Sequence, residues 1–310
     1  MPLGAPAGTG RACGGGGSAS RFVAGGQTLT PRPGRKDPVT DHAPLPPPLG
    51  PEIDTTVPHS ARIWNYWLGG KDNYPVDRAA GDLYREQAPG VVDMARASRI
   101  FLSRAVRHLA GERGVLQFLD VGTGLPTMDN THEVAQRAAP GARIVYVDND
   151  PLVLTHARAL LTSTPQGATD YIDADLRDPG RILREAARTL DLGRPVALML
   201  MGVLGHIADF EEALALTRHL LDALAPGSHL IHYDGTYEVQ GEALQQAQED
   251  YDDTGAVPYV LRTPAELARL YEGLELLEPG QVSCLRWRPE ADLFGEPDDV
   301  DVYGAVARKP

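Results

Sequence analysis

The most informative part of this sequence is the stretch Val115-Leu116-Gln117-Phe118-Leu119-Asp120-Val121-Gly122-Thr123-Gly124, in which an apolar run ends in an acid and two glycines follow. The apolar run predicts a buried strand. Gly122 and Gly124 would permit a tight turn and let backbone N–H groups approach a ligand closely. Ligands of open α/β sheets bind beyond the carboxyl ends of the strands, so this turn is the predicted centre of a binding site.

Strand and helix patterns alternate after this turn. Further strands are predicted over 143–148, 169–174, 195–201 and 228–233. Helices are predicted over 131–139, 151–161, 182–190, 210–224, 242–251 and 264–271. The final runs, 280–287 and 300–307, predict two strands joined by a loop without a helix, which favours an antiparallel pair at the sheet edge. The pattern predicts an α/β fold with a mainly parallel seven-stranded sheet and helices on both faces.

The chain divides into three predicted regions. Residues 1–50 are rich in Gly and Pro, have almost no periodic apolar pattern and are predicted to be a disordered tail. Residues 51–110 space their apolar side chains as helices do, with a break at Gly69-Gly70. Residues 111–310 carry the strand–helix alternation and are predicted to form the binding core.

The composition excludes several classes of function. A formal net charge of −13 argues against a generic nucleic-acid-binding surface, because phosphate contacts need clustered Lys and Arg. No apolar run is long enough for a spanning helix, so no membrane partner is expected. Cys13 and Cys284 are too few for a thiolate metal site and too far apart along the chain to suggest a disulfide. We therefore expect no metal and a reducing, cytoplasmic setting.

Two acids and one missing glycine indicate which nucleotide binds. Asp148 ends the second strand, where its carboxylate can accept hydrogen bonds from a ribose diol. Thr127 stands where a dinucleotide fingerprint has its third glycine, which packs beside a pyrophosphate that S-adenosylmethionine lacks. Asp175 follows the third strand and can accept from an adenine amino group. These features favour S-adenosyl-L-methionine over a nicotinamide dinucleotide. In the alternative reading the glycines only form a turn and Asp148 only caps a helix.

Several motifs resemble those of the bacterial S-adenosyl methyltransferase family, once classed as a domain of unknown function. The matching segments are 58–74, 118–127, 132–136, 146–151, 174–179 and 303–309. The resemblance covers about residues 58–309. It implies a Rossmann-like class I methyltransferase fold and S-adenosyl-L-methionine as the cofactor, but no known methyl acceptor.

The same resemblance implies roles for individual residues. The residues expected to bind the cofactor are Asp120, Gly122, Thr123, Gly124, Asp148, Asn149, Asp175, Leu176, Met201 and Gly202. Residues 51–110 are expected to form a helical lid, and the lid or substrate residues are Tyr66, Gly70, Lys71, Asn73 and Tyr74. Trp64 and Trp67 are further candidates for an aromatic lid, with packing in the core as the alternative.

Two residues are candidates for proton transfer. His206 has a side chain that can take a proton near neutral pH, or can serve only as a hydrogen-bonding group in its loop. Asp234 is the second candidate, with helix capping as the alternative. The predicted function is methyl transfer to an unidentified, small-molecule acceptor. The alternative is a regulatory protein that binds S-adenosylmethionine without turnover. The sequence does not predict an oligomeric state.

Overall fold

One sheet of eight strands forms the centre of the computed structural model, which describes residues 53–127, 129–160, 162–290 and 297–310. The predicted disordered tail lies outside these described residues. The strands are β1 (Gln117–Val121), β2 (Arg143–Asp148), β3 (Ala168–Asp173), β4 (Ala197–Met201), β5 (His229–Gly235), β6 (Glu275–Leu276), β7 (Val282–Ser283) and β8 (Val302–Arg308). The helices are α1 (Ser60–Trp67), α2 (Pro75–Gln87), α3 (Val91–Gly111), α4 (Thr131–Ala138), α5 (Pro151–Leu160), α6 (Pro179–Ala186), α7 (Phe210–Asp222), α8 (Glu242–Asp252) and α9 (Pro264–Leu267).

The strand order is β3-β2-β1-β4-β5-β8-β6, and β7 also pairs with β8. Strands β1 to β5 pair in parallel, whereas β8 is antiparallel to β5, β6 and β7. The predicted class I methyltransferase architecture, a mainly parallel sheet with an antiparallel C-terminal end, is confirmed. Six of the seven predicted strands correspond to β1 to β5 and β8, the seventh, over 280–287, contains only the short β7, and β6 is an additional strand outside the predicted segments.

The predicted strand over 280–287 is wrong in its extent. Two strands of two residues each, β6 and β7, pair with β8 instead, and a 3₁₀ helix occupies Cys284–Arg286. Pro279 and Gly280 separate the two short strands, and Gly280 has a φ of +90°. The left-handed Gly280 separates β6 from the predicted segment, and the 3₁₀ helix ends the extended backbone after Ser283, so a continuous strand over 280–287 does not form.

Helices cover both faces of the sheet because alternate side chains of its central strands enter two different apolar cores. Phe118 of β1 packs in a core that contains α3 and α8, whereas the next residue, Leu119, packs in the core beneath α6 and α7. All five residues of β1 and of β4 are buried. Strands buried on both faces read as continuous apolar runs, which is why the sequence located them.

A buried ion pair fixes the N-terminal helices to each other. Nε of Arg62, on α1, donates to the Asp77 carboxylate of α2 at 3.0 Å, and both side chains are almost fully buried. Asp77 also accepts from the backbone N–H groups of His59 and Tyr74. Arg62 donates in addition to the carbonyl of Val57. This network holds the first turn of α1 in one position relative to α2.

Among the helices of the described ranges, none combines the length and the hydrophobicity needed to cross a bilayer. Cys284 is fully buried. Within the same ranges, no three His, Cys, Asp or Glu side chains come together in a way that suits a metal ion.

Candidate functional site

A cavity of about 320 Å³ lies at the carboxyl ends of β1, β2 and β4. Its volume is within the range of roughly 300–1,000 Å³ that is usual for small-molecule sites. Strand order reverses between β1 and β4, and such switch points are where open α/β sheets bind ligands. All of the predicted cofactor residues line this cavity: Asp120, Gly122, Thr123, Gly124, Asp148, Asn149, Asp175, Leu176, Met201 and Gly202.

The turn after β1 requires its glycines. Gly122 and Gly124 have φ values of +74° and +65°, in the left-handed region that side chains disfavour. A Cβ atom on Gly122 would also collide with the side chain of Val203, which follows β4. The backbone N–H of Gly122 donates to the carbonyl of Val147 at 2.8 Å. The turn therefore packs directly against the ends of the two neighbouring strands.

Asp148 joins the end of β2 to this turn. Its Oδ2 accepts from the backbone N–H of Gly124 at 2.8 Å, and its Oδ1 accepts from the N–H of Asp150 at 3.0 Å. Burial raises the pKa of Asp148 to about 6. Each carboxylate oxygen keeps a further lone pair, so the group can still accept hydrogen bonds from a ligand in the cavity.

Asp120 is more deeply enclosed than Asp148. Its Oδ2 accepts from the hydroxyl of Thr131, the first residue of α4, at 2.7 Å. Burial raises its pKa to about 6 as well, while the hydrogen bond from Thr131 and the charge of Arg99 act in the opposite direction. Arg99 of α3 lines the cavity and was not found by sequence reasoning, because an Arg on an amphipathic helix carries no motif.

The residues predicted to contact adenine follow β3 and also line the cavity. Asp175 accepts from the side-chain amide of Asn149 at 3.1 Å and from the backbone N–H of Arg177 at 2.8 Å. Leu176 is buried and contributes an apolar surface to the cavity. A carboxylate beside an apolar side chain suits the amino edge and the face of a purine.

His206 ends the 3₁₀ turn that follows β4, and its hydrogen bonds define its tautomer. Nδ1 lies 2.9 Å from the carbonyl oxygen of Pro258. A carbonyl oxygen can only accept, so Nδ1 carries the hydrogen. Nε2, 3.4 Å from the hydroxyl of Ser60, then holds a lone pair at the cavity wall. Burial lowers the pKa of His206, which keeps the ring neutral near pH 7.

The second candidate base, Asp234, does not line the cavity and does not cap a helix. It is fully buried, and its Oδ2 lies 3.0 Å from Nε2 of His232. Its Oδ1 accepts from the hydroxyl of Tyr259 at 2.7 Å. Tyr259 lines the cavity, and its ring makes an edge-to-face contact of 5.0 Å with His206. Asp234 is therefore placed to hold Tyr259 and, through it, His206, rather than to receive a proton from a ligand.

Comparison with known proteins agrees with this geometry. A family model described as S-adenosyl methyltransferase matches residues 48–310. The crystal structure of a DUF574 family protein from Streptomyces avermitilis MA-4680 is 46% identical with a TM-score of 0.79, over 84% of this chain and 100% of that one. A protein from Thermobifida fusca YX, provisionally classed as a methyltransferase, is 40% identical with a TM-score of 0.75, over 83% of this chain and 96% of that one. No curated protein matches the chain.

This chain belongs to the S-adenosyl methyltransferase family. It is a methyltransferase enzyme whose cofactor is S-adenosylmethionine. The residues at the strand ends suit that molecule in two ways. Gly122 and Gly124 line the cavity without a side chain that could cover the backbone N–H groups of the turn, and Asp148 offers acceptor oxygens. Thr127, where a dinucleotide site has glycine, also lines the cavity.

The lid residues predicted for the methyltransferase do not reach the cavity. Tyr66 donates its hydroxyl to Asp82 of α2, and Lys71 is exposed. Asn73 donates to the side chain of Asn65 and to the carbonyl of Gly70. The remaining predicted residue, Tyr74, caps α2 and packs beneath the Arg62 guanidinium. None of the five predicted lid residues, Tyr66, Gly70, Lys71, Asn73 and Tyr74, lines the cavity.

A different face of α1 covers the methyltransferase cavity. Ser60, Trp64 and Trp67 line it, and they are spaced by three or four residues, so they share one side of the helix. Tyr66 lies on another side, which explains why it contacts α2 instead. His59, which precedes α1, approaches Asp150 at the end of β2, with 3.3 Å between Nδ1 and Oδ2. The same Nδ1 accepts from the backbone N–H of Ala61 and so caps the start of α1.

Proposed function

We propose that this methyltransferase transfers the methyl group to a small-molecule acceptor held inside the cavity, with His206 as the base. The observation that supports this assignment is the tautomer of His206: the Pro258 carbonyl holds the hydrogen on Nδ1 and leaves the Nε2 lone pair at the cavity wall. A small acceptor is favoured by the volume of the cavity, about 320 Å³, and by its position between the strand ends and the helices α1 and α3.

Within this proposal the residues at the strand ends would hold the cofactor. Gly122, Thr123 and Gly124 would contact its methionyl part, together with Asp120. Asp148 would accept from the ribose hydroxyls, with Asn149 beside it. Asp175 and Leu176 would contact the adenine. Met201 and Gly202, next to the loop that carries His206, would contact the reacting end of the cofactor.

When bound, the cofactor would supply an electrophilic methyl group on a sulfonium, which would keep the electron pair of the S–C bond on sulfur. Nε2 of His206 would accept the proton of an acceptor O–H or N–H as the acceptor's oxygen or nitrogen takes the methyl group, and His206 would later release that proton to water. The walls contribute by holding donor and acceptor in contact and in line, which lowers the entropic part of the barrier.

We also propose that the helical region 51–110 excludes water from the reacting atoms through α1, rather than through the turn at Gly70. The alternative, a binding protein without turnover, is not favoured by any observation at the site. The cytoplasmic location expected from the sequence stays a prediction.

The variant His206→Asn tests the proposed base. The Asn amide N–H can still donate to the Pro258 carbonyl, but the variant has no group equivalent to Nε2. We expect methyl transfer to fall by roughly 10²–10⁴-fold, the usual contribution of a positioned base. The affinity for S-adenosylhomocysteine should change less than about twofold, because the cofactor residues are untouched. Turnover is measured as S-adenosylhomocysteine formed with a panel of phenols and arylamines.

His219→Asn is the matched control, since His219 is exposed on α7 and does not line the cavity. It should leave both turnover and binding unchanged. An equal rate for His206→Asn and the unmodified protein would remove His206 from the mechanism. Tight cofactor binding with no turnover on any acceptor would favour the regulatory alternative.

A further inference from the structure

The short turn that carries His206 is bound by a segment from a distant part of the chain, residues 257–262, which lies between α8 and α9. We call this segment the bracket. Its Pro258 carbonyl accepts from Nδ1 of His206, and the backbone N–H of Val260 donates to the carbonyl of Gly205 at 2.8 Å. Every second residue of the bracket lines the cavity: Val257, Tyr259 and Leu261. The bracket therefore forms a wall of the cavity and also contacts the backbone beside the proposed base.

Arg262, the last residue of the bracket, binds both ends of the His206 turn. Its Nη1 donates to the carbonyl of Leu204 at 2.9 Å, and its Nη2 donates to the carbonyl of Ile207. The 3₁₀ turn consists of Leu204–His206, so Leu204 begins it and Ile207 directly follows it. A guanidinium presents its N–H donors in a rigid planar fork, so these two bonds fix the two ends of the turn relative to each other.

The burial of Arg262 shows how closely it belongs to this turn. The residue is only 3% exposed, and its guanidinium lies 4.8 Å from the centre of the Phe210 ring. A buried charge is costly unless other groups replace its hydration, and two backbone carbonyls and an aromatic face do so here. Arg262 does not line the cavity. Its effect on a ligand therefore has to pass through the turn that it holds.

Tyr259 of the bracket holds the same turn from another side. Its ring lies over Gly205, where a Cβ atom would collide with it, and it meets the His206 ring edge to face at 5.0 Å. Its hydroxyl donates to Asp234 at 2.7 Å and accepts from the backbone N–H of Gly235 at 3.0 Å. The ring is thus fixed at its far end, and the absence of a side chain at Gly205 gives it the space beside the imidazole.

From these contacts, and resting on the proposed function, we infer that Arg262 and Tyr259 are positioning residues for methyl transfer, which keep Nδ1 of His206 on the Pro258 carbonyl and Nε2 at the cavity wall. A base acts only within hydrogen-bond reach of the proton that it takes. A displacement of a reacting group by about 1 Å can cost about a hundredfold in rate. The bracket prevents such a displacement because it binds the turn at both ends and packs against the ring.

The variant Arg262→Gln tests the first contact, because a neutral amide cannot span both carbonyls. The nitrogen chemical shifts of histidine-labelled protein report which ring nitrogen carries the hydrogen, and the signals missing from His206→Asn identify His206. We expect the hydrogen on Nδ1 in the unmodified protein. In Arg262→Gln both His206 signals should shift toward a mixture of the two tautomers, because the Pro258 carbonyl no longer meets Nδ1 in every molecule. This measurement needs no acceptor.

Turnover and binding should separate in the same variant. Methyl transfer to the panel of phenols and arylamines should fall by about a hundredfold in Arg262→Gln. The Kd for S-adenosylhomocysteine should stay unchanged, because the cofactor residues are untouched. Arg262→Lys should recover part of the lost turnover, since an ammonium can still donate to the carbonyls of the turn. A parallel loss of turnover and of S-adenosylhomocysteine binding would show a general loss of structure and overturn the inference.

Arg104→Gln is the matched control. Arg104 also donates to two backbone carbonyls at a 3₁₀ turn, those of Leu285 and Trp287. None of these three residues lines the cavity. The control should leave the His206 signals and turnover unchanged. An equal effect in Arg104→Gln would mean that loosening any such turn slows the enzyme, which would refute a specific role for the bracket.

Gly205→Ala tests the second contact and leaves Arg262 in place. The added methyl group should displace the Tyr259 ring, shift the same His206 signals and lower turnover, again without a change in the Kd for S-adenosylhomocysteine. Unchanged His206 signals and unchanged turnover in this variant would refute the role of Tyr259.

The two proposals fail in different ways. Full turnover in His206→Asn would contradict the proposed base, and the inference that rests on it would fall as well. If His206→Asn loses turnover while Arg262→Gln and Gly205→Ala keep both turnover and the His206 signals, the base stays in place and only the bracket is refuted.

Discussion

Replacing Asp148 with Asn tests the cofactor site most directly, because the change keeps the shape of the side chain and removes its charge. The two oxygens of Asp148 accept from two different backbone donors, Gly124 N–H at 2.8 Å and Asp150 N–H at 3.0 Å. An Asn side chain has only one oxygen, so one of these donors must face an NH₂ group. The variant therefore loosens the glycine turn and also weakens the acceptor for the ribose hydroxyls.

The expected size follows from these contacts. A hydrogen bond to a charged group is worth about 1.5–3 kcal/mol, and losing one such bond to the cofactor corresponds to roughly a tenfold to hundredfold increase in Kd. Isothermal titration with S-adenosylhomocysteine measures this change. The control is Asp173→Asn: Asp173 lies opposite Asp148 in the β2–β3 register, but it is exposed and does not line the cavity. An unchanged Kd for Asp148→Asn, or an equal loss in the control, would show that the ribose does not bind at the end of β2.

Three further predictions concern stability. Burial raises the pKa of Asp148 to about 6, so between about pH 4 and pH 6 the folded state keeps a proton that the unfolded state has lost. When urea unfolding is measured at pH 5 instead of pH 7.5, the free energy of unfolding of the wild type should therefore rise by about 1 kcal/mol relative to that of Asp148→Asn. A difference between the two proteins that stays constant with pH would contradict the raised pKa. Gly122→Ala should destabilise the protein more than Gly124→Ala, because only at Gly122 does the added Cβ collide with Val203. Both variants should lose roughly 1–2 kcal/mol of stability because they place a side chain on a left-handed backbone. Adding Val203→Ala should therefore restore part of the melting temperature lost in Gly122→Ala, but none of that lost in Gly124→Ala. Arg62→Met should cost about 3–5 kcal/mol in the free energy of unfolding, because it leaves the Asp77 carboxylate buried without its partner; a loss below about 1 kcal/mol would mean that this pair does not hold α1 and α2 together.

The cofactor half of the cavity was predictable because it depends on local features of the chain. A buried strand followed by a glycine turn brings Asp120 and Gly122 to the carboxyl end of β1 whatever the rest of the chain does. Parallel pairing of β1 with β2 then places Asp148 at the same edge. Two periodic signals and one rule about parallel sheets were enough to bring these residues together.

The outer wall of the cavity was not predictable in the same way. The aromatic cluster near the start of the described chain was visible in the sequence, but which of its rings face the cavity depends on the rotation of α1 about its axis. That rotation is fixed by the Arg62–Asp77 ion pair between two helices, and it brings Trp64 and Trp67 to the cavity while Tyr66 contacts α2.

The sequence by itself determined the strand–helix alternation, the glycine turn and the acids that end the strands, because these follow from local periodicity and backbone geometry. Only the tertiary structure decided where Asp234 lies and which side chains it contacts. Tyr259 lies 25 residues further along the chain, yet its hydroxyl donates to Asp234. Tyr259 lines the cavity wall, whereas Asp234 does not. No local pattern encodes such a contact, since it arises when distant segments pack against the same strand end.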